Sequence, residues 1–255
     1  MEMHYKSGGD RDFVRYVVAE SWEGHDSADD YRTLNRVLLD YDRYVKEYGA
    51  DPMKEDVGLT LGGVGPDAMV EMATNAQGED LLHPWAGKLD RFIQIDALNY
   101  VEDHKTTSRL DKHYFRQFEL SNQMMGYTYL GNQLLPADKI VGVRINVAHV
   151  LTEKTTFIRQ VITFGPSQIK DWAKNINHWM RRLAKDYELA AESTYEDIVR
   201  GDSPAFPLHF GDNGCSRKFG MCQYYSVCSS SPKLRQGVLE REFEINPWNP
   251  LEADE

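Results

Sequence analysis

Apolar positions along the chain change period several times, and each change marks a predicted element. Between residues 27 and 49, Tyr31, Leu34, Val37, Leu38, Tyr41, Tyr44, Val45 and Tyr48 recur at helical spacing. The spacing predicts a helix, opened by Ser27 with Asp30 as capping-box acid and closed by Gly49. Residues 50–68 include the glycine-rich GLTLGGVGPDA and predict a loop. No Lys-Ser/Thr pair follows these glycines, so they are not a phosphate loop. Segments 68–74, 86–95 and 98–105 are short, rich in Val, Ile, Leu, Phe and Tyr, and broken by turn residues, which predicts strands. Residues 113–131 return to the helical period, with Gly131 as the expected stop. Strands are predicted at 139–150 and 155–164. A long helix over 168–191 would bury Ile169, Trp172, Ile176, Trp179, Met180, Leu183 and Tyr187. This order predicts an α/β fold, a central mixed sheet flanked by helices. It divides the chain into a helical part (1–67), a core (68–199) and a cysteine-containing segment with an acidic tail (200–255).

Composition narrows the class. The 255 residues are 41% hydrophobic and 27% charged, which excludes wholesale disorder. No apolar run approaches the roughly 18 residues of a membrane span. The first residues, MEMHYKSGGDRDF, contain no apolar signal core. The expectation is a soluble cytoplasmic protein with no membrane partner. Net charge is −11, which argues at first against a nucleic-acid partner. Its distribution leaves a polyanion partner open. Residues 1–80 carry 18 acids against 8 bases and residues 236–255 carry 6 against 1, whereas residues 81–235 carry 16 acids against 20 bases. Two acidic flanks enclose a mildly basic centre, and binding follows the local field.

The chemistry concentrates in GKLDRFIQIDALNYVEDHKT, residues 87–106. A hairpin turning at Asp96 and Ala97 would set Asp90 opposite Asp103, and cross-strand partners have Cβ atoms about 4.5–5.5 Å apart. Lys105, two residues beyond Asp103, falls on the same face. Two carboxylates so close repel unless a cation separates them. A hard divalent ion with oxygen ligands does this. Two acids, such an ion and a lysine suit phosphodiester hydrolysis. The same residues also read as a solvated hairpin face. Further on, Gln123 and Tyr127 in SNQMMGYTYLG share one helix face, with Leu120 and Met124 expected on the buried side.

These residues carry a resemblance. Gly87-x-x-Asp90, then Asp103-x-Lys105-Thr106, then Gln123-x-x-x-Tyr127 resemble, in order and spacing, the RecB-type branch of the PD-(D/E)XK nuclease superfamily. That branch includes phage exonucleases. The likeness covers roughly residues 68–230. It implies a restriction-endonuclease-like core and a Mg²⁺- or Mn²⁺-dependent DNA nuclease, foremost an exonuclease, serving DNA processing and recombination, with a recombination protein as a further partner. It implies that Asp90, Asp103 and the main-chain carbonyl of His104 hold the metal, that Glu71 is the upstream acid and that Lys105 is the catalytic lysine. Gln123 and Tyr127 would position DNA and the active-site groups.

Cys215, Cys222 and Cys228 are the chain's three cysteines. An odd, clustered set does not read as a disulfide framework. Members of the branch often close the domain with an iron–sulfur cluster held by one cysteine before the core and three after it. The resemblance therefore implies a [4Fe-4S] site on these three, with the fourth ligand missing from this sequence. Zn²⁺ completed by His209 and three free thiols are the alternatives. The segment YKSGGDRDF resembles the stretch just after a Gly-x-x-x-His helix in the family, so the chain is expected to begin inside the family fold, with His4 poorly placed as a substitute. The rival expectation is therefore an inactive nuclease-fold subunit that binds DNA or serves assembly.

Between the strand of Lys105 and the helix of Gln123, Arg109, Lys112 and Arg116 alternate with His113, Tyr114 and Phe115. That mixture suits a strand gripped by phosphate and stacked by base.

Overall fold

The structure, a computed structural model, describes residues 9–22, 31–48, 69–70, 87–135, 139–205, 215–217 and 220–246. These fall into two compact units. One runs to Trp172 and contains the main sheet. The other takes in the described residues from Ala173 onward.

The first unit opens with α1 (Arg11–Ser21) and α2 (Leu34–Tyr48). Two-residue strands β1 (Met69–Val70) and β2 (Gly87–Lys88) pair antiparallel. The main sheet has the order β3 (Arg91–Ile95), β4 (Leu98–Thr107), β5 (Ile140–Val150), β6 (Thr155–Thr163). Its outer pairs are antiparallel and its central pair, β4 with β5, is parallel. A parallel pair needs a crossover connection. Here it contains a short α3 (Arg116–Glu119) and α4 (Asn122–Leu134). The expected α/β class and helix-flanked mixed sheet are thus present.

Side chains alternate between the sheet's two faces. Val101, Asp103 and Lys105 of β4 face α4, while Glu102 and His104 face α2. Gly131 shows why α4 fits so closely. A Cβ there would lie 2.9 Å from Ile140 Cγ1 and 3.3 Å from Phe92. The glycine expected to stop the helix is instead a contact point inside it, and the helix continues to Leu134. On the other face, Tyr44 of α2 packs edge-on against Phe157 and accepts a hydrogen bond from Asn146 at 2.8 Å. With both faces covered, the central strands are largely buried: Val101, Val143, Ile145 and Val147 are core.

The β3–β4 hairpin pairs Arg91 with Glu102 through Ile95 with Leu98, which is the register the sequence predicts. Asp96 and Ala97 form the turn with φ of 49° and 64°. Two positive values are what a right-handed twist requires of a two-residue loop. Ala97 resists that conformation by about 1–2 kcal/mol, more than the extra unfolded-state entropy glycine would bring. Ala97→Gly is therefore expected to stabilise the chain by roughly 0.5–1 kcal/mol, seen as a higher urea midpoint at unchanged slope.

Other expectations need correction. The helix expected over 27–49 begins at Leu34, with Thr33 Oγ1 accepting from Arg36 N at 3.4 Å. The expected cap, Ser27 and Asp30, lies outside the described residues. α1 was not foreseen. Asp10 caps it, accepting from Phe13 N at 3.0 Å, and Arg15 joins it to α2 through Asp42 at 2.8 Å. The helix expected over 113–131 is broken at Leu120 and Ser121, because Ser121 starts a new helix as N-cap. Leu120, expected to be buried, is 81% exposed.

In the second unit, α5 (Pro166–Ala191), which begins in the first, continues towards α6 (Tyr195–Arg200). A hairpin of β7 (Ser216–Arg217) and β8 (Gly220–Met221) leads to α7 (Tyr225–Ser229) and α8 (Arg235–Glu242). Trp172 and Ile176 of α5 are buried as expected, whereas Trp179, Leu183 and Tyr187 are exposed. Among the described residues, no helix is long and apolar enough to cross a membrane.

Candidate active site

The hairpin register brings the site together. β3 begins at Arg91, so Asp90 sits one step before the paired run, beside the end of the Glu102 pairing. Asp90 Oδ2 accepts from the main-chain N–H of His104 at 2.8 Å. That bond fixes its carboxylate next to the backbone between Asp103 and Lys105. Gly87 helps it approach: a Cβ there would meet Leu130 at 2.7 Å and the Tyr127 ring at 3.5 Å.

Asp103 forms the floor of the site and is only 2% exposed. Lys105 Nζ lies 3.0 Å from its Oδ1 and 2.8 Å from its Oδ2. The same amine donates to Gln123 Oε1 at 3.2 Å. Gln123 Nε2 lies 3.5 Å from Asp103 Oδ1 and donates to Tyr127 OH at 2.8 Å. Four of the expected residues, Asp103, Lys105, Gln123 and Tyr127, thus share one continuous hydrogen-bonded cluster. α4 supplies its last two members from successive turns, and the Ser121 cap fixes where that helix starts.

Burial and the neighbouring charges set the protonation of the site. Burial pushes the Asp103 carboxyl up from the usual aspartate range, and the Lys105 hydrogen bond and charge only partly offset this. Burial likewise pushes the Tyr127 hydroxyl up, with Gln123 pulling it back and the charges of Asp103 and Asp90 adding to the rise. Tyr127 therefore keeps its proton at neutral pH, and both acids lie within electrostatic reach of its hydroxyl. Tyr114, one of the rings expected to stack on a base, is half-buried near the site. Its hydroxyl is pushed up by burial, bonds the Thr107 side chain and senses Asp103. Its ring packs on Phe115 and Phe118. Residues 112–115 form turns, where the helical period predicted helix from 113 onward.

The donor set suits a hard divalent ion. Asp103 Oδ2 is buried and has no aligned hydrogen bond, its close contact being the ionic one to Lys105. Ions of the Mg²⁺ type need only one or two protein carboxylates, with water and substrate phosphate as the remaining ligands. Asp90 and Asp103 meet that requirement. Among the described residues, no three His, Cys, Asp or Glu side chains gather as a metal-holding group. Glu71, the expected third acid, lies outside the described residues. His104 contributes its backbone here. Its imidazole turns to the opposite face, where Nδ1 is 3.1 Å from Asn146 Nδ2.

The cysteines lie in the second unit. Cys215 and Cys222 flank the β7–β8 hairpin, joined by a backbone bond from Cys222 N to Cys215 O of 2.8 Å. Cys228 lies in α7. All three are half-buried and outside any disulfide, and among the described residues no group of three metal-holding side chains forms around them. His209, the alternative zinc ligand, lies outside the described residues.

Sequence reasoning missed a buried ionic group directly behind the site. Glu102, next to Asp103 on β4, points to the other face between two arginines. Arg144 Nε donates to its Oε1 at 2.7 Å, and Arg91 Nη1 lies 3.3 Å from its Oε2. Alternation at 102 and 103 was visible, but nothing local marked Arg144, which is 42 residues away.

A comparison of the chain with protein-family models and with curated proteins finds no match to either.

Proposed function

We propose that this chain is a metal-dependent deoxyribonuclease with a restriction-endonuclease-like core, hydrolysing phosphodiester bonds in DNA processing and recombination, foremost as an exonuclease. One observation carries the reading. The Lys105 amine is held against the Asp103 carboxylate, with Asp90 latched to the backbone between them and Gln123 and Tyr127 closing the ring of contacts. Burial keeps the Asp103 carboxyl above the usual aspartate range despite the Lys105 contacts, and perturbed acids of this kind cluster at functional sites.

Asp90 and Asp103 would hold Mg²⁺ or Mn²⁺, which when bound supplies positive charge to the phosphate and acidifies a water. The other roles belong to the chain's own groups. Lys105, gripped by Asp103 and Gln123, presents its amine to the phosphate and the attacking water. Gln123 orients that amine through its carbonyl and Tyr127 through its amide. The protonated Tyr127 hydroxyl can donate to a phosphate oxygen. Buried Asp103 keeps bulk water away from one side of the reacting group.

End-labelled single- and double-stranded DNA, incubated with the purified chain and Mn²⁺ or with chelator, tests the proposal. Loss of label only with metal supports it. Intact label with a gel shift would instead assign the chain to the inactive DNA-binding reading.

A further inference from the structure

The segment joining β4 to α4 leads directly away from Lys105 and ends at the cap of the helix that carries Gln123. The sequence suggested that its basic and aromatic residues act together on a nucleic-acid strand. The structure separates them. Phe118 is buried, and Tyr114 packs edge-on against Phe115 and Phe118. Tyr114, Phe115 and Phe118 thus form a ring cluster within the segment, Tyr114 and Phe115 half-buried, while His113 is exposed beside the cations. Arg109, Lys112 and Arg116, in contrast, are all exposed. Among the described residues, none of the three forms an ion pair. Asp111, an acid in their midst, turns its carboxylate to His113 N at 2.7 Å.

One apolar side chain of the segment faces outward. Leu120 is 81% exposed and sits between α3 and the Ser121 cap, three residues before Gln123. The Ser121 cap, which starts α4 directly after it, sets its place in the chain. A ligand that fits a row of cations and an adjoining apolar projection has an anionic backbone and accessible apolar faces. A single DNA strand has both. A duplex hides its base faces in the stack.

We propose that residues 108–121 form a track for one unpaired DNA strand: Arg109, Lys112 and Arg116 neutralise successive phosphates, and Leu120 packs against a base beside the cleaved bond. The proposal rests on the nuclease reading for its direction, since the track leads to Asp103 and Lys105. It makes single strands, or ends that fray, the preferred substrate.

The test reads binding in chelator, so it does not depend on cleavage. Fluorescence anisotropy follows the full chain on a labelled oligo-dT of about 20 nucleotides and on a duplex of the same length, over about 50–300 mM salt. The triple variant Arg109→Gln, Lys112→Gln, Arg116→Gln should flatten the slope of log affinity against log salt by about 2, because each neutralised phosphate on a single strand contributes about 0.7. Leu120→Ser should weaken oligo-dT binding several-fold without changing that slope, and should leave duplex binding unchanged. An unaltered slope in the triple variant overturns the track. Equal losses on strand and duplex in Leu120→Ser, or a parent chain that prefers duplex, overturn the single-strand assignment. Binding with these signatures but no metal-dependent cleavage would keep the track and remove the nuclease. Cleavage retained with parental binding in the triple variant would do the reverse.

Discussion

Lys105→Ala and Asp103→Asn are each expected to cleave end-labelled DNA at least about a hundredfold more slowly than the parent chain, while melting as cooperatively. The reason the fold should survive differs for the two. The Lys105 side chain is 27% exposed and ends at the site, so its loss uncovers no core. Asparagine at 103 keeps the shape and one of the two oxygens that Lys105 contacts but removes a charge that burial penalises. Lys105→Arg separates two roles of the amine. It keeps the positive charge, yet arginine does not release its proton. Recovery of less than about a tenth of parental activity would mean that Lys105 handles a proton. Full recovery would reduce its role to charge. Gln123→Ala should have a smaller effect, because it loosens the amine without removing it. Parental rates in Lys105→Ala or Asp103→Asn would remove this cluster from the chemistry.

The site was largely legible in the sequence because its geometry is local. A two-residue turn fixes every pair along a hairpin, so placing the turn at Asp96 and Ala97 was enough to align Arg91 with Glu102 and bring Asp90 to the backbone of His104. Alternation then put Lys105 with Asp103, and the four-residue helical spacing put Tyr127 with Gln123. The expectations that failed depend on what lies across from a residue. Gly131 looks like a stop signal until Ile140 and Phe92 press against its Cα. Trp179, Leu183 and Tyr187 have the spacing of a buried face, but spacing does not say whether anything covers it. Leu120 obeys the same rule, since only the break before Ser121 turns it outward. The Glu102 group was invisible because Arg144 arrives from another strand through a parallel pairing that no local pattern encodes.

Glu102→Gln is expected to lower stability at neutral pH by about 3 kcal/mol, whereas Asp103→Asn should raise it by up to about 1 kcal/mol. The two acids are consecutive on β4 and both almost fully buried, so the opposite signs must come from what each face supplies. At Glu102, burial alone would raise the pKa, but Arg144 and then Arg91 outweigh it, and the carboxyl is held below the usual glutamate range. A depressed folded-state pKa contributes stability above the unfolded value, and this is lost as pH falls through the folded one. Glutamine keeps an acceptor for Arg144 but removes the charge that both guanidiniums share. At Asp103 burial dominates, Lys105 only moderates it, and the folded pKa is raised. The folded state then prefers the protonated acid, so ionisation costs stability as pH rises past the unfolded value, and asparagine avoids that cost. Urea unfolding in chelator at about pH 7 measures both. Repeating it at lower pH should close the gap between parent and Glu102→Gln only below the ordinary glutamate range. In the same direction, the advantage of Asp103→Asn should fade as the parent's Asp103 takes up its proton. Two destabilised variants would show that Asp103 supports the fold as Glu102 does, and that its burial is structural. Opposite signs would mark one face of the strand as built for stability and the other as holding a charge at the fold's expense, as a cation-binding site does.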